Sequence, residues 1–377
     1  MKCDLLYLVG QLGSGGLERQ LYYLLQTINR KYHRPAVTVW NDCENDVYTP
    51  QIRALGVPVL SFPQTFSAST KLIAFRRLVR ELQPAVAHSY SFYTNFAVHW
   101  ATRNTQTVAV GSVRGEFIRA KKESGRWLGS LSARWPREQI CNSFSALEDA
   151  RRSRGYFVPR RLSVVRNGLD LDRFHCVPLP VNGRVCIVGV GSLFSVKRWD
   201  RLVRAACTLK QRGFNFLMRL VGDGPLRDSL RQQAQDMGVA DCFEFMGNRE
   251  DIPNLLAEAT FLVHTSDSEG CPNVVMEAMA CGRAVVATGV GDIPLLVENG
   301  KTGFVVPRSD EEALVTHIAT LISNQDLCHR MGSAGRIKAE QEFGLDRLVT
   351  ETLNVYRAVG WKDLSKDCLQ RRASDEP

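Results

Sequence analysis

The chain has 377 residues, of which 44% are hydrophobic and 23% are charged. This length predicts two domains of ordinary size, and the composition is typical of a soluble globular protein rather than a disordered or fibrous one. No stretch approaches the roughly 18 apolar residues of a membrane-spanning helix. The start of the chain is predicted to be a first strand rather than a signal peptide.

The net charge of +9 is unevenly distributed. Residues 1–183 carry 25 Lys and Arg against 13 Asp and Glu, whereas the remainder carries 23 against 26. The basic half therefore predicts an anionic partner, with a membrane surface, a lipid-phosphate acceptor and nucleic acid as candidates. No nucleic-acid recognition motif of the usual kinds is present, so we expect no nucleic-acid partner. The eleven cysteines lack zinc-ligand spacing, which predicts reduced thiols in a cytoplasmic protein and no metal site.

The first elements are an apolar strand at residues 5–9, a glycine-rich turn at 10–16 and an amphipathic helix at 17–29. A strand, a glycine turn and a helix form the layout that holds phosphate groups, but a tight turn that packs helix against strand fits equally well. The spacing is not a clean G-x-G-x-x-G. Asp42 follows the next strand, residues 36–40, so a dinucleotide site stays open on this half.

Strands and helices continue to alternate. The predicted strands are residues 57–62, 85–88, 108–113 and 164–167, and the predicted helices are residues 71–82 and 94–103. This alternation predicts a parallel sheet with helices on both faces and ligands at the carboxyl ends of the strands. His88 and Arg114 lie at such ends, where a histidine is as often structural as functional.

The segment that begins at Phe117 and ends at Ile140 is basic and aromatic. Trp127 and Trp135 lie among its cations at helical spacing with leucines. Two interpretations remain open: the segment lies on an anionic membrane surface, or it is a solvated helix with its tryptophans in the core. The D-x-D formed by Asp170 and Asp172 follows an Asn-Gly dipeptide, so we interpret it as turn and capping chemistry rather than a metal site.

A second domain follows the proline linker that ends at residue 180. Its predicted strands are residues 184–191, 217–221, 243–247 and 260–264, and its predicted helices are 199–211, 226–237, 252–259, 311–322 and 325–343. A final helix covers 345–359, and the tail from residue 361 is predicted to be loose. Lys197, at the head of a helix after a strand, is well placed to meet phosphate, although a solvated surface lysine is the simpler alternative.

The stretch from Ser268 to Ala280 carries the strongest signal. Glu269 lies in a strand-to-helix turn, and Glu277 lies about two turns into the helix that begins near Asn273. The N–H groups of such a turn form an anion site, and the carboxylates can accept hydrogen bonds from hydroxyls. A sugar joined to a phosphate needs both an anion site and acceptors for its hydroxyls. The alternative is a surface helix with two solvated glutamates.

This stretch resembles the E-x7-E element of the retaining glycosyltransferases of family 4. The segments at residues 280–288, 291–294 and 299–307 are similar to the segments that come after that element in the family. The resemblance covers nearly the whole second domain and the first only loosely. It implies the GT-B fold, an α/β fold of two Rossmann-like domains facing across a cleft. Residues 1–180 would bind the acceptor, residues 181–344 would bind the nucleotide-sugar donor, and the final helix, about 345–360, would pack on the first domain.

The resemblance also implies a set of site residues. Lys197 would neutralise the donor diphosphate, Glu277 would hold the ribose hydroxyls, and Glu269 would hold the transferred sugar and its phosphate. Backbone groups near the donor would come from Gly247, Asn248, Gly270, Cys271, Pro272, Asn273 and Val274, and Gly15 and Gly16 would contribute from the first domain.

Two positions depart from the family pattern. Ser192 stands where the family commonly has Arg, so one phosphate charge is either missing or supplied by Arg198. Arg114 stands where the family commonly has His at a strand end of the first domain. That leaves the catalytic role of the histidine unfilled, taken by Arg114 or moved to His88.

The resulting hypothesis is metal-independent transfer of a hexosyl group with retention, from a nucleotide-sugar such as a UDP-sugar to a sugar or lipid-linked glycan acceptor. The nucleotide-sugar is a co-substrate, and no other cofactor is expected. The setting would be surface polysaccharide, lipopolysaccharide or glycolipid biosynthesis, in the cytoplasm or on the cytoplasmic face of a membrane. Three alternatives stay open: a nicotinamide-dependent enzyme, a glycoside hydrolase that uses the carboxylate pair, and a non-catalytic sugar- or lipid-binding relative. The donor base, the sugar, the acceptor and the linkage are not predicted.

Overall fold

A computed structural model describes residues 3–43, 46–180 and 183–362. The chain divides into two compact units, one formed by residues 1–168 and 345–377 and the other by residues 169–344. The predicted domain boundary at residue 180 lies farther along the chain than this division. The predicted loose tail lies, beyond residue 362, outside the described residues.

Both units are built from parallel strands connected by helices. The strands of the described residues are β1 (Leu5–Val9), β2 (Pro35–Val39), β3 (Val59–Ser61), β4 (Val86–Ser89), β5 (Val108–Val113), β6 (Glu138–Cys141), β7 (Arg161–Val164), β8 (Val185–Val190), β9 (Phe216–Val221), β10 (Phe243–Gly247), β11 (Phe261–His264), β12 (Ala284–Thr288) and β13 (Gly303–Val306). The helices are α1 (Gly16–Thr27), α2 (Tyr48–Ala54), α3 (Ala68–Leu82), α4 (Asn95–Thr102), α5 (Phe117–Glu123), α6 (Arg126–Arg134), α7 (Phe144–Arg152), α8 (Trp199–Gln211), α9 (Arg227–Asp236), α10 (Ile252–Glu258), α11 (Asn273–Ala280), α12 (Ile293–Leu296), α13 (Glu311–Ser323), α14 (Gln325–Glu342) and α15 (Leu345–Ala358).

The sheet of the first unit has the strand order β3-β2-β1-β4-β5-β6-β7. Alternate residues of β1 enter different hydrophobic clusters, Tyr7 in one and Leu8 in the other, because successive side chains of a strand point to opposite faces. The final helix α15 belongs to this unit, and its Leu348 and Tyr356 pack in the same cluster as Tyr7.

The sheet of the second unit has the order β10-β9-β8-β11-β12-β13. Ile187 and Val188 of β8 likewise belong to different clusters, so both faces of this sheet are covered. These two parallel sheets confirm the predicted α/β class. In each sheet the chain reverses its direction of progress once, between β1 and β4 in the first unit and between β8 and β11 in the second. Ligands of open α/β sheets bind at the carboxyl ends of the strands at such a reversal.

One predicted strand of the first unit was wrong. The strand predicted at residues 164–167 is β7, which covers residues 161–164 and pairs with β6. The segment 117–140, for which two interpretations were open, contains α5, α6 and the start of β6. Gly125 separates the two helices at a φ of +82°, a conformation that glycine adopts without strain. The Asp170 carboxylate accepts hydrogen bonds from the N–H groups of Asp172 and Arg173, as expected of a turn.

Candidate active site

Two of the predicted site residues meet at the reversal point of the second sheet. Lys197 follows β8 in a short turn of 3-10 helix, and Glu269 follows β11, the neighbouring strand. Lys197 Nζ donates a hydrogen bond to Glu269 Oε1 at 2.6 Å, in an ion pair whose side chains are mostly shielded from solvent. The fold therefore joins two groups that are 72 positions apart in the sequence.

The turn after β11 holds the backbone of the Lys197 turn. The hydroxyl of Thr265 donates to the carbonyl oxygen of Lys197 at 2.8 Å. The N–H group of Asp267 donates to the carbonyl oxygen of Val196, also at 2.8 Å. Two backbone contacts and one ion pair thus fix the lysine relative to Glu269, and such preorganisation strengthens charge stabilisation.

The last residue of β12 and the loop after it also support this turn. Thr288 Oγ1 donates to the carbonyl oxygen of Ser266 at 2.6 Å, and the Asp292 N–H group donates to that of Gly270 at 2.9 Å. Gly291 has a φ of +58°, and a Cβ there would lie 2.4 Å from the Glu269 carbonyl oxygen. A glycine is required at 291 because its backbone touches the turn that carries Glu269.

The carboxylate of Glu269 receives three hydrogen-bond donors. Besides Lys197 Nζ, these are Ser266 Oγ at 2.7 Å and His264 Nε2 at 3.1 Å. Burial alone would raise the pKa of Glu269, but the hydrogen bonds from His264 and Lys197 and the charge of Lys197 outweigh it and hold the pKa well below its usual range. Glu269 is therefore an ionised acceptor rather than an acid.

A second carboxylate in the same turn, Asp267, is shared by three arginines. Arg198, Arg201 and Arg308 bind it at 2.9, 2.7 and 3.0 Å. Burial acts to raise the pKa of Asp267, but the three arginines lower it to about 2. Arg198 also binds Asp200 at 3.0 Å, so two carboxylates hold its guanidinium. Its role as the source of the phosphate charge that Ser192 lacks stays a prediction.

The helix α11 carries the second glutamate of the predicted pair. It begins at Asn273 directly after Pro272, and its residues from Val275 to Ala280 are buried. Glu277 is 2% exposed, so it is not the solvated surface glutamate of the simpler alternative. Gly270, Cys271 and Pro272 form the turn between Glu269 and this helix, and Asn273 and Val274 are the first two residues of the helix.

Ser192, Gly247 and Asn248 lie at the carboxyl ends of β8 and β10, on the edge of the sheet that carries Lys197. The Gly247 carbonyl oxygen accepts a hydrogen bond from the Gly222 N–H group at 2.8 Å. The backbone of Gly247 has a φ of +65°, a conformation that favours glycine. Asn248 and Ser192 are exposed. These three residues thus lie on the same edge of the sheet as Lys197, and two of them are open to solvent.

In the first unit, Gly15 and Gly16 lie at the start of α1, after the reversal-point strand β1. The Glu18 carboxylate folds back over Gly15, where a Cβ would lie 2.2 Å from Glu18 Oε2. Across the reversal point, the Gly10 N–H group donates to Ser91 Oγ at 2.9 Å.

Arg114 is partly buried, whereas His88 is fully buried. Arg114 follows β5, and its guanidinium lies 3.8 Å from the centroid of the Tyr90 ring. His88 is 1% exposed, and its two ring nitrogens contact the hydroxyls of Tyr356 at 2.7 Å and Ser112 at 3.0 Å. Burial, with a smaller effect from the Arg114 charge, holds the pKa of His88 well below its usual range. His88 is enclosed by protein groups, so its placement does not support a catalytic role, whereas Arg114 lies at the strand end.

The two tryptophans of the segment 117–140 differ: one packs against another ring, as in the core interpretation, and the other is exposed, as in the membrane-surface interpretation. Trp135 stacks on His99 with ring centroids 5.5 Å apart, whereas Trp127 on α6 is 79% exposed. Ile118 and Leu128 are also exposed. No described helix has the length and apolar character needed to cross a bilayer. In the described ranges we also find no group of three or more His, Cys, Asp and Glu side chains that could hold a metal ion.

Sequence reasoning did not identify His264, Ser266 or Asp267 as site residues. The available signal was their position, since they are polar residues that follow a fully buried strand and such positions line ligand sites in α/β sheets.

Two family models match the chain. The model described as "Glycosyltransferase Family 4" matches residues 14–173, and the model described as "Glycosyl transferases group 1" matches residues 177–338.

Among curated relatives, alpha-maltose-1-phosphate synthase of Mycolicibacterium smegmatis is 28% identical over 326 residues, which cover 78% of this chain and 84% of that protein. The GDP-mannose-dependent alpha-(1-6)-phosphatidylinositol monomannoside mannosyltransferase of the same organism is 33% identical over 187 residues, 45% of this chain and 49% of that protein. Several other curated relatives are likewise matched over only about half of their length, 45% to 52%.

Among solved structures, HepE of Anabaena in complex with UDP superposes with a TM-score of 0.81 at 20% identity, covering 94% of this chain and 100% of that one. At 20% identity, this likeness shows the fold alone. The two family models together span most of the sequence, one for each predicted domain. The chain therefore belongs to the group 1 glycosyltransferases of the family 4 type.

Proposed function

We propose that the chain is a retaining glycosyltransferase that moves a hexosyl group from a nucleotide-sugar to an acceptor hydroxyl, in surface polysaccharide or glycolipid biosynthesis at the cytoplasmic face of a membrane. The observation that carries this proposal is the meeting of Lys197 and Glu269 at the reversal point of the second sheet. A fixed cation there can neutralise a diphosphate, and the adjacent carboxylate can accept hydrogen bonds from sugar hydroxyls.

In the proposed reaction, the bond from the anomeric carbon to the phosphate oxygen breaks, and a bond from that carbon to the acceptor oxygen forms on the same face. Negative charge develops on the departing diphosphate. Lys197 and the first-turn N–H groups of α11 would stabilise this charge more strongly in the transition state than in the bound donor. The acceptor proton passes to the departing phosphate oxygen. Because Lys197 supplies positive charge, the proposal needs no metal.

Substitution of Lys197 and of Glu277 tests the proposal. We expect Lys197→Ala and Glu277→Ala each to lower turnover by on the order of 10²-fold or more, the size seen when a charge-stabilising group is lost. Lys301→Ala is the control, because Lys301 is an exposed lysine paired with Glu298 on the surface of the same unit. Near-wild-type rates in both site variants would contradict the assignment.

The donor class needs a separate measurement, since one relative is named for GDP-mannose and HepE was solved with UDP. Thermal shifts with UDP, GDP, ADP and NAD, each with and without EDTA, would distinguish the possible classes of donor. A ligand at 100 times its Kd adds about 2.7 kcal/mol of stability. A shift with one nucleoside diphosphate that EDTA leaves unchanged supports the proposal and names the donor. A shift with NAD alone would favour the nicotinamide-dependent alternative, and binding without turnover would favour a non-catalytic relative.

For the acceptor side, we propose that α5 and α6 lie on an anionic lipid surface. The exposed Trp127 is next to Arg126, and Lys122 precedes it in the same surface segment, so an aromatic anchor and cations occur together. Binding to vesicles that contain phosphatidylglycerol, compared with pure phosphatidylcholine vesicles, tests this. Trp127→Ala should weaken binding to the anionic vesicles, and Ile337→Ala, which removes an exposed apolar side chain of the second unit, should not. Equal binding of wild type to both vesicle types would contradict the proposal.

A further inference from the structure

The three hydrogen bonds to Glu269 all reach the same oxygen. Lys197 Nζ, Ser266 Oγ and His264 Nε2 lie 2.6, 2.7 and 3.1 Å from Oε1. Within the described part of the chain, no hydrogen bond reaches Oε2. One oxygen of this carboxylate is therefore anchored to the protein, and the other keeps its lone pairs for a ligand.

His264 is built into the sheet beneath the site. It is the last residue of β11 and is 1% exposed, so its ring cannot turn freely toward solvent. Its Nδ1 is buried and has no hydrogen-bond partner among the described residues. A buried N–H group without an acceptor is costly, so the favoured tautomer carries its proton on Nε2, where it donates to Glu269.

Lys197 alone cannot serve as the anchor of Glu269. Its ammonium is also the cation proposed to meet the donor diphosphate, so it is shared between two anions when a donor binds. Ser266 and His264 are not proposed to contact the diphosphate. Ser266 lies on the same short turn as Glu269, three positions before it, and His264 is the last residue of β11, five positions before it. These two donors keep Oε1 in place in the presence of the diphosphate.

We propose that His264, with Ser266, is a positioning residue that anchors Oε1 of Glu269 and so presents Oε2 to a hydroxyl of the transferred sugar. This inference rests on the proposed function, because it assigns the sugar, rather than the nucleotide, to the free oxygen of Glu269. Loss of the His264 donor should then impair transfer of the sugar while leaving the binding of the nucleoside diphosphate intact.

Three substitutions at 264 separate positioning from packing. His264→Gln keeps an N–H donor near the position of Nε2, His264→Asn keeps an amide that is too short to reach it, and His264→Leu removes the donor. Misplacing a group by about 1 Å costs as much as 10²-fold, so we expect kcat/KM of the Asn and Leu variants to fall by roughly 10- to 100-fold. The Gln variant should recover most of the wild-type rate. The thermal shift produced by the nucleoside diphosphate should stay within error of wild type in all three.

Turnover is measured as release of nucleoside diphosphate from UDP-glucose, GDP-mannose and ADP-glucose, with water as the acceptor of the sugar. Wild-type rates in the Leu variant would overturn the inference, and so would a Gln variant as impaired as the Leu variant. Failure of the proposed function looks different, since the wild type itself would then release nothing from any of the three donors.

A second measurement does not depend on activity. Long-range proton–nitrogen NMR of the histidine-labelled chain distinguishes the two ring tautomers, and the signal that disappears in His264→Gln assigns His264 among the seven histidines. We expect the Nε2–H tautomer in the wild type and a displaced Nε2 resonance in Glu269→Gln. A proton on Nδ1, or an Nε2 resonance unchanged in Glu269→Gln, would overturn the contact even if the chain were inactive.

Discussion

Replacing Asp267 by Asn removes the carboxylate that three arginines share beside Lys197. Arg198, Arg201 and Arg308 would lose their common anion, and Arg201 is only 7% exposed at its side chain, so it has little access to water as a substitute. Removing one partner of a buried ion pair destabilises a protein because the other charge remains buried.

The lowered pKa of Asp267 sets the size of the effect. It is about 2 in the folded chain, against 3.8 for an unperturbed carboxyl. At about 1.4 kcal/mol per pKa unit, this difference corresponds to about 2 kcal/mol of folding free energy. Arg308 is well exposed and is screened by solvent and salt, so we expect a loss of about 1 to 2 kcal/mol. Because folding lowers this pKa, the contribution is complete above about pH 4 to 5 and disappears as the pH falls through about 2.

Urea unfolding of the wild type and Asp267→Asn, at pH 7 and at pH 3, measures this contribution. The urea midpoint of the variant should be lower than that of the wild type at pH 7, with an unchanged dependence on urea concentration. The difference in unfolding free energy between wild type and variant should be roughly half as large at pH 3. Glu123→Gln, which breaks an exposed i,i+4 pair with Arg119, is the control and should change stability by less than about 0.5 kcal/mol. A gap of equal size at both pH values would refute the electrostatic reasoning, and no gap at pH 7 would refute the network itself.

Two further predictions concern the backbone of the site and the buried histidine of the first unit. Gly291→Ala places a methyl group 2.4 Å from the Glu269 carbonyl oxygen at a φ of +58°, so it should lower both donor turnover and the urea midpoint. Gly300→Ala, at a φ of +81° with open space around it, should cost only the roughly 1–2 kcal/mol of a left-handed residue and leave turnover unchanged; equal effects of the two substitutions would contradict the contact. Because burial lowers the pKa of His88 below its unfolded value of 6.5, the unfolded chain binds more protons below about pH 6.5 and stability should fall on acidification. His88→Gln should reduce this loss between pH 7 and 5, measured by urea unfolding at each pH; an unchanged pH slope would count against the neutral buried imidazole.

Local patterns predicted most of the elements and one half of the site. Helix α8 and strands β1, β5 and β10 lie at the predicted residues, and α11 begins at Asn273 as expected. These predictions succeed because hydrophobic periodicity and glycine or proline turns act over a few residues. Short elements such as α2 and α7 were not predicted, since seven to nine residues offer too few turns for a clear period.

The sequence by itself determined the α/β class, the turn that carries Glu269 and the resemblance to family 4, because each depends on residues close together in the chain. Only the tertiary structure decided which groups meet. Strands β9 and β10 separate β8 from β11 in the sequence, yet β8 and β11 are neighbours in the sheet, and this neighbourhood brings Lys197 to Glu269.

The tertiary structure also shows what surrounds two further candidates. Arg198 is bound by Asp200 and Asp267, and His88 contacts Tyr356, a residue 268 positions away. Spacing along the chain can predict that a polar residue lies at a strand end. Whether its charge is available to a ligand depends on which side chains the strand order places against it, and those side chains come from distant parts of the chain.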